Sequence, residues 1–152
     1  MRAPILILDA NLLVLLVVGR AAREYIGKHK RLRAYSVSDF DLLIKLLSSA
    51  SKIVITPNTL TETSNLVRQI SEPARAQILL VLRELIARHD EHYRDSRSVS
   101  KSDEFPRLGL TDAVLLDIAG QYGTLLTTDL DLYVAAVKRG YKAVNFNHYR
   151  GD

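Results

Sequence analysis

Four carboxylates stand in settings that suit chemistry: Asp9, Glu62, Asp112 and Asp129. Asp9 is the first hydrophilic residue after Pro4 and the aliphatic run Ile5 to Leu8. A short continuous apolar run reads as a strand buried on both faces, which puts Asp9 at the strand's carboxyl end. Asp129 repeats the arrangement, following Thr124 to Leu126 and the hydroxyl pair Thr127-Thr128. Glu62 falls in the second turn of a helix that Thr56-Pro57 starts directly after Ile53-Val54-Ile55. Asp112 shares a helical face with Leu115, Leu116 and Ala119, at i+3, i+4 and i+7. An unpaired charge on an apolar stripe is costly, so Asp112 needs a metal ion, a basic residue or the open end of its own helix as partner. Asp117 points nearly opposite, toward solvent.

In open α/β sheets, ligands bind at the carboxyl ends of the strands. Two carboxylates about 4 Å apart repel by roughly 4 kcal/mol at the effective dielectric near a protein surface, so several in one cleft do not stay ionised alone and bind cations. Hard oxygen ligands without cysteine or a histidine set favour magnesium or manganese. Such an ion acidifies a bound water and neutralises charge developing on a phosphate, which is what phosphodiester hydrolysis requires.

The elements that must bring these acids together follow from pattern. Short strands are expected at residues 5–8, 53–55, 124–126 and 141–146, with helices between them. A helix from residue 12 to about 26 is apolar nearly all round before turning basic. Ser38 is expected to open the next, with Asp39 and Asp41 complementing its dipole and Leu43, Leu46, Leu47 and Ala50 buried. The helix carrying Glu62 buries Leu60, Thr63, Leu66, Val67 and Ile70, with Asn65 and Gln69 on Glu62's side. Glu72-Pro73 starts another, with Ile78, Val81, Leu82, Leu85 and Ile86 inward. Thr111 is expected to cap the helix of Asp112, which Gly123 stops, and a last helix runs from about residue 132 to Lys138-Arg139-Gly140. Residues 90–107 read as a mobile polar loop and 147–152 as a polar tail. His89 and His92 stand at i, i+3 without a third ligand at suitable spacing. Strands alternating with helices imply right-handed crossovers and a parallel sheet covered on both faces, which gathers all strand-end acids along one edge.

A chain of 152 residues is read as one domain, residues 1–152. It has no cysteine, which excludes disulfides and thiolate sites and favours a reducing cytoplasm. The apolar stretch from Pro4 to Val18 contains Asp9 and Asn11, and a charge at mid-membrane costs about 2.5–3.5 kcal/mol even on the lenient scale, so no membrane partner is expected. The net charge of +4, from 21 basic and 17 acidic residues, permits a polyanionic partner without demanding one. Arg20, Arg23, Lys28, Lys30, Arg31 and Arg33, with His29 among them, form the densest positive stretch. It reads equally as a solvated helix end or as a phosphate-contacting patch.

Four segments, Ile5-Leu6-Ile7-Leu8-Asp9-Ala10-Asn11, Thr56-Pro57 followed by Glu62, Leu110-Thr111-Asp112-Ala113, and Leu125-Leu126-Thr127-Thr128-Asp129-Leu130-Asp131, resemble the four successive motifs of the PIN-domain nucleases. The match runs from residue 5 to 131, in order and on the expected elements. The resemblance implies a three-layer α/β/α sandwich with a short parallel sheet of four or five strands. It also implies an endoribonuclease that hydrolyses RNA phosphodiester bonds with Mg2+ or Mn2+. By position, Asp9, Glu62, Asp112 and Asp129 are similar to the family's acidic metal-site residues, and Asp131 to a frequent fifth acid. Asn11 matches a polar residue that follows the first acid, and Thr127 or Thr128 the hydroxyl residue before the fourth. The commonest small members are VapC-type toxins, which implies a homodimer and an antitoxin protein whose tail enters the active site. The segment between the first two acids is longer here than in the most compact toxins, and the basic stretch lies in that extra length.

Two other classes compete. A PIN-like module that docks RNA or protein without cutting would lack an intact acid set, and all four acids are present. A haloacid-dehalogenase-like phosphatase would carry a second aspartate where this chain has Asn11, and a receiver domain would need an acidic pair before Asp9 and a late lysine that are not evident.

Overall fold

A computed structural model describes residues 3–151. Five strands form one parallel sheet in the order β3-β2-β1-β4-β5: β1 (Ile5–Leu8), β2 (Lys52–Ile55), β3 (Asp90–Glu91), β4 (Thr124–Thr127) and β5 (Ala143–Asn145). Among the described residues seven α-helices accompany them: α1 (Ala10–Ala21), α2 (Val37–Ser48), α3 (Pro57–Val67), α4 (Ala74–Arg88), α5 (Ser96–Val99), α6 (Phe105–Tyr122) and α7 (Leu130–Lys138). Strand alternation divides the interior into two cores. Leu6, Leu8, Ile53, Ile55 and Leu126 pack with α1 to α4, whereas Ile7, Val54 and Leu125 pack with α5 to α7. The expected three-layer α/β/α sandwich is therefore the observed one.

β1 is central. It pairs with β2 on one side (Ile7 opposite Val54) and with β4 on the other (Ile7 opposite Leu125). The chain order thus reverses at β1, the kind of switch point outside whose strand ends open α/β sheets bind ligands. Helix α1 is buried from Leu12 through Gly19 because α2, α3 and α4 all cover it. Its closest neighbour fixes Gly19: a Cβ there would meet the Phe40 ring at 2.2 Å.

Several boundaries differ from expectation for identifiable reasons. α1 starts at Ala10 rather than residue 12, because the Asp9 side chain caps it, and ends at Ala21; two 3-10 turns, Arg23–Tyr25 and Lys30–Leu32, replace its expected continuation. α2 is opened by Ser36, not Ser38. The Ser36 hydroxyl accepts from Asp39 N while the Asp39 carboxylate accepts from Ser36 N at 2.9 Å, a reciprocal capping box. The expected loop 90–107 holds the edge strand β3 and the short helix α5. β3 escapes pattern reading because two exposed acids form it; it is held by backbone pairing with Val54 and Ile55 and by a 3.0 Å ion pair from Lys52 to Asp90.

α6 already begins at Phe105 and is interrupted at Gly109, whose φ of 80° favours glycine, so Thr111 does not cap it. The expected polar tail is partly structured. Phe146–His148 forms a 3-10 turn and Arg150 folds back onto Asp39, while Asp152 lies outside the described residues. No described helix is long and apolar enough to cross a membrane.

Replacing Gly19 by Ala forces α1 and the buried Phe40 apart. Overpacking of this kind costs about 1–3 kcal/mol, so urea denaturation should show the G19A midpoint lowered with an unchanged m-value.

Candidate functional site

Asp9 leaves β1 into the gap between β1 and β4, where it is almost fully buried. Burial of a carboxylate demands donors, and three are supplied. Leu12 N donates to Oδ1 at 3.0 Å, capping α1, and Thr127 Oγ1 and Thr128 N donate to Oδ2 at 2.5 and 2.9 Å. The buried Thr127 hydroxyl also accepts from Asp129 N at 2.9 Å, and Asp129 Oδ1 accepts from Leu132 N at 2.9 Å as the cap of α7. One chain of hydrogen bonds therefore joins the first helix, both central strands and the last helix. Desolvation pushes the Asp9 carboxyl above its ordinary range against these three donors, and the charge of Asp129 adds to the rise.

Among the described residues Asp112 has no such donors. It sits half-buried on α6 and its pKa is pushed up to about 7, first by desolvation and then by the charges of Asp129, Asp9 and Glu62, with nothing pulling it down. Those three charges are the ones expected from the sequence to meet Asp112. Glu62, exposed on α3, borders a cleft of about 430 Å³ lined also by Pro57, Asn58, Thr61, Asn65 and Thr111. The structure thus gathers Asp9, Glu62, Asp112 and Asp129 into one electrostatic group at the carboxyl edge of the sheet.

The other expected residues are placed as follows. Asn11 is the one exposed position of α1 between Ala10 and Gly19, on the turn nearest Asp9. Thr127 and Thr128 take separate tasks, the first bridging Asp9 and Asp129, the second giving its N–H to Asp9. Asp131 lies exposed in the first turn of α7, where it complements the dipole, and does not act on Asp112. Of the basic stretch, Arg20 falls in the last turn of α1, about 16 Å along the helix from Asp9. Arg23 pairs with Asp41 and is likewise beyond that end of α1. Lys28, Lys30, Arg31 and Arg33 are exposed, whereas His29 is buried as a bridge, accepting from Arg31 N at Nδ1 and meeting the Val67 carbonyl with Nε2 at 3.0 Å. His89 bonds the Leu85 carbonyl and His92 packs on Tyr122, so the two do not converge.

Sequence reasoning missed Tyr35, Asn147 and Arg150, which flank the acids. The Tyr35 hydroxyl reaches Thr128 Oγ1 at 3.4 Å, and Asn147 Nδ2 donates to Thr128 O at 3.3 Å. Burial raises the Tyr35 phenol above its ordinary pKa, and the charge of Asp9 adds to the shift. No local pattern could have revealed this, because Tyr35 and Thr128 are joined only by tertiary folding.

The donor set is hard oxygen throughout, which suits Mg2+ or Mn2+. Among the described residues no three carboxylate, imidazole or thiol groups stand close enough to form a ready cage. Mg2+ keeps several waters and takes one or two carboxylates, so the residues present fit an ion of that kind held through Asp112 and Glu62, with the charge of Asp129 beside them. No protein-family model and no curated protein matches the chain, which leaves the geometry of the site to carry the functional reading.

The acids differ in what they do for stability. Between pH 4 and 7 Asp112 keeps a proton in the folded state that it loses when unfolded, so its contribution to stability falls as pH rises through that window. In metal-free buffer, Asp112→Asn should therefore stabilise the protein by about 1–3 kcal/mol at pH 8, after discounting for partial exposure, and far less at pH 4. Asp9→Asn strands the N–H of Thr128 against an amide and should cost about 2–4 kcal/mol. Thermal melts of both variants across pH check the opposite signs.

Proposed function

We propose that the protein is a divalent-metal-dependent endoribonuclease. The observation that carries this reading is Asp112: a half-buried carboxylate with no donor and no counter-ion among the described residues, its charge opposed by three further acids at the switch point of a parallel sheet. Such a group is unstable as a purely structural device and is relieved by a cation. The sequence resemblance to PIN-domain nucleases supports the same reading.

Asp112 and Glu62 would hold the ion with the charge of Asp129 beside them, and Asp9 would act mainly by fixing the β1 and β4 ends through Thr127 and Thr128. When bound, the ion supplies charge neutralisation on the phosphate and an acidified water. Hydrolysis then adds water across the P–O3′ bond, leaving a 5′-phosphate and a 3′-hydroxyl. With Asp112 among the residues holding the ion, the proton on its carboxyl would be given up on binding, so uptake would be linked to proton release.

A second reading, a binding module without catalysis, draws on one observation: Asp9 is committed to three internal hydrogen bonds and has a sufficient structural task. Asp9→Asn is for the same reason a poor test, since loss of activity would follow from loss of fold. Asp112→Asn and Glu62→Gln are the informative variants. Purified wild type should cleave single-stranded RNA only with Mg2+ or Mn2+, and each variant, still folded by circular dichroism, should lose about 100-fold or more, as losing a principal electrostatic group does. Retained metal-dependent cleavage in Asp112→Asn rejects the assignment. A wild type that binds RNA but never cuts it favours the binding module.

A further inference from the structure

The hydrolytic reading leaves one cluster without a task. The connection entering α2 and the C-terminal residues meet beside the acids, where Tyr35 is half-buried and its hydroxyl touches Thr128, whose N–H is held by Asp9. That contact is 3.4 Å, long for an O–H···O hydrogen bond, so the phenol keeps most of its donor capacity unspent. Its ring does not turn freely. The Arg150 guanidinium lies over it, 4.7 Å from the centroid.

Arg150 is in turn committed on every side. Nε and Nη2 donate to the two oxygens of Asp39 at 3.1 and 3.0 Å, Nη2 also to the Ala34 carbonyl, and Nη1 to Asn147 Oδ1 at 3.1 Å. A guanidinium so engaged has its charge answered by Asp39 and little fork left for a ligand. Asn147 completes the arrangement by bonding the Thr128 carbonyl.

We propose that Tyr35 contacts the substrate, its hydroxyl donating to a phosphate oxygen of the RNA strand beside Asp9, and that Arg150 is the positioning residue that sets the ring. The proposal rests on the phosphodiesterase reading of the acids. A phosphate oxygen is a far better acceptor than the distant Thr128 hydroxyl, because hydrogen bonds to charged groups are shorter and stronger. A neutral donor suits this edge: it grips the phosphate without competing with the cation for the carboxylates. Arg20 in the last turn of α1 and Arg23 just beyond it lie at the far end of that helix and do not supply that donor, and a ring held by stacking needs no reorganisation to do so.

Steady-state cleavage of a single-stranded RNA oligonucleotide with Mn2+ tests this, using Tyr35→Phe, Arg150→Gln and the double variant, with melting temperature and Mn2+ affinity measured alongside. Tyr35→Phe should raise KM about tenfold or more with melting temperature and Mn2+ affinity unchanged. Arg150→Gln should raise KM as well, and adding Tyr35→Phe to it should change nothing further, since the two act as one unit. A Tyr35→Phe enzyme with wild-type KM overturns the contact while leaving the nuclease reading intact. Multiplying effects would mean that Arg150 grips RNA itself, which overturns its positioning role. A wild type that cuts no RNA overturns both the reading and the inference. Should Arg150→Gln fail to fold, Tyr35→Phe alone still decides the contact, because it removes one long hydrogen bond.

Discussion

A carboxylate buried at the end of a central strand must be surrounded by donors, and in this fold the donors come from parts of the chain more than a hundred residues apart. Asp9 receives the N–H of Leu12 from its own helix and the hydroxyl of Thr127 and N–H of Thr128 from the end of β4. That requirement fixes the relative height of β1 and β4, the start of α1 and, through Thr127 and Asp129, the start of α7. The remaining geometry of the carboxyl edge follows from it. With the ends of β1 and β4 level, Asp9 and Asp129 come near enough to Asp112 on α6 for their charges, with that of Glu62, to add to the rise that burial gives its pKa.

The acids consequently divide into two kinds. Asp9 has three hydrogen bonds from the fold, two of them on Oδ2, and Asp129 has given one oxygen to a helix cap. Asp112 is charged only at a cost, and Glu62 is exposed beside an open cleft. The carboxylates least engaged by the fold therefore lie away from the strand that organises the edge. This ordering also separates the residue that keeps the protein folded from those on which chemistry would depend.

What could be read from sequence was whatever periodicity and strand-end position determine. Both cores, four of the five strands, the central α1 and the four acids are local patterns of apolar residues and the polar residues that stop them. β3 was hidden because its stability comes from the backbone of β2 and a lysine, with no apolar side chain to signal it. Ser36 was hidden behind Ser38 because both precede the same apolar run, and only the reciprocal bond to Asp39 distinguishes them. Tyr35, Asn147 and Arg150 were out of reach for a deeper reason: their meeting depends on the C-terminal turn folding across the entrance to α2, which no spacing encodes. Within the basic stretch the fold assigns His29 to a buried bridge and Arg20 to the far end of α1, neither of which its charge pattern encodes.

The direction of the strands sets the direction of charge as well. Every helix that follows a strand toward its crossover starts at the carboxyl edge, so the positive ends of α1, α3 and α7 point there and are capped by Asp9, Thr56 and Asp129. Their negative ends, and that of α4, lie away from it, and Arg20, Arg88 and Lys138 occupy last turns, where such residues offset the dipole. Some of the basic excess therefore has a structural task at helix termini. At the carboxyl edge the helix ends offset the acids in part, but unpaired carboxylate remains, and a polyanion approaching it is repelled until a cation is bound. On the nuclease reading this imposes an order in which the metal enters first, and it makes a neutral hydroxyl such as that of Tyr35 better suited than another charge to hold the strand once it arrives.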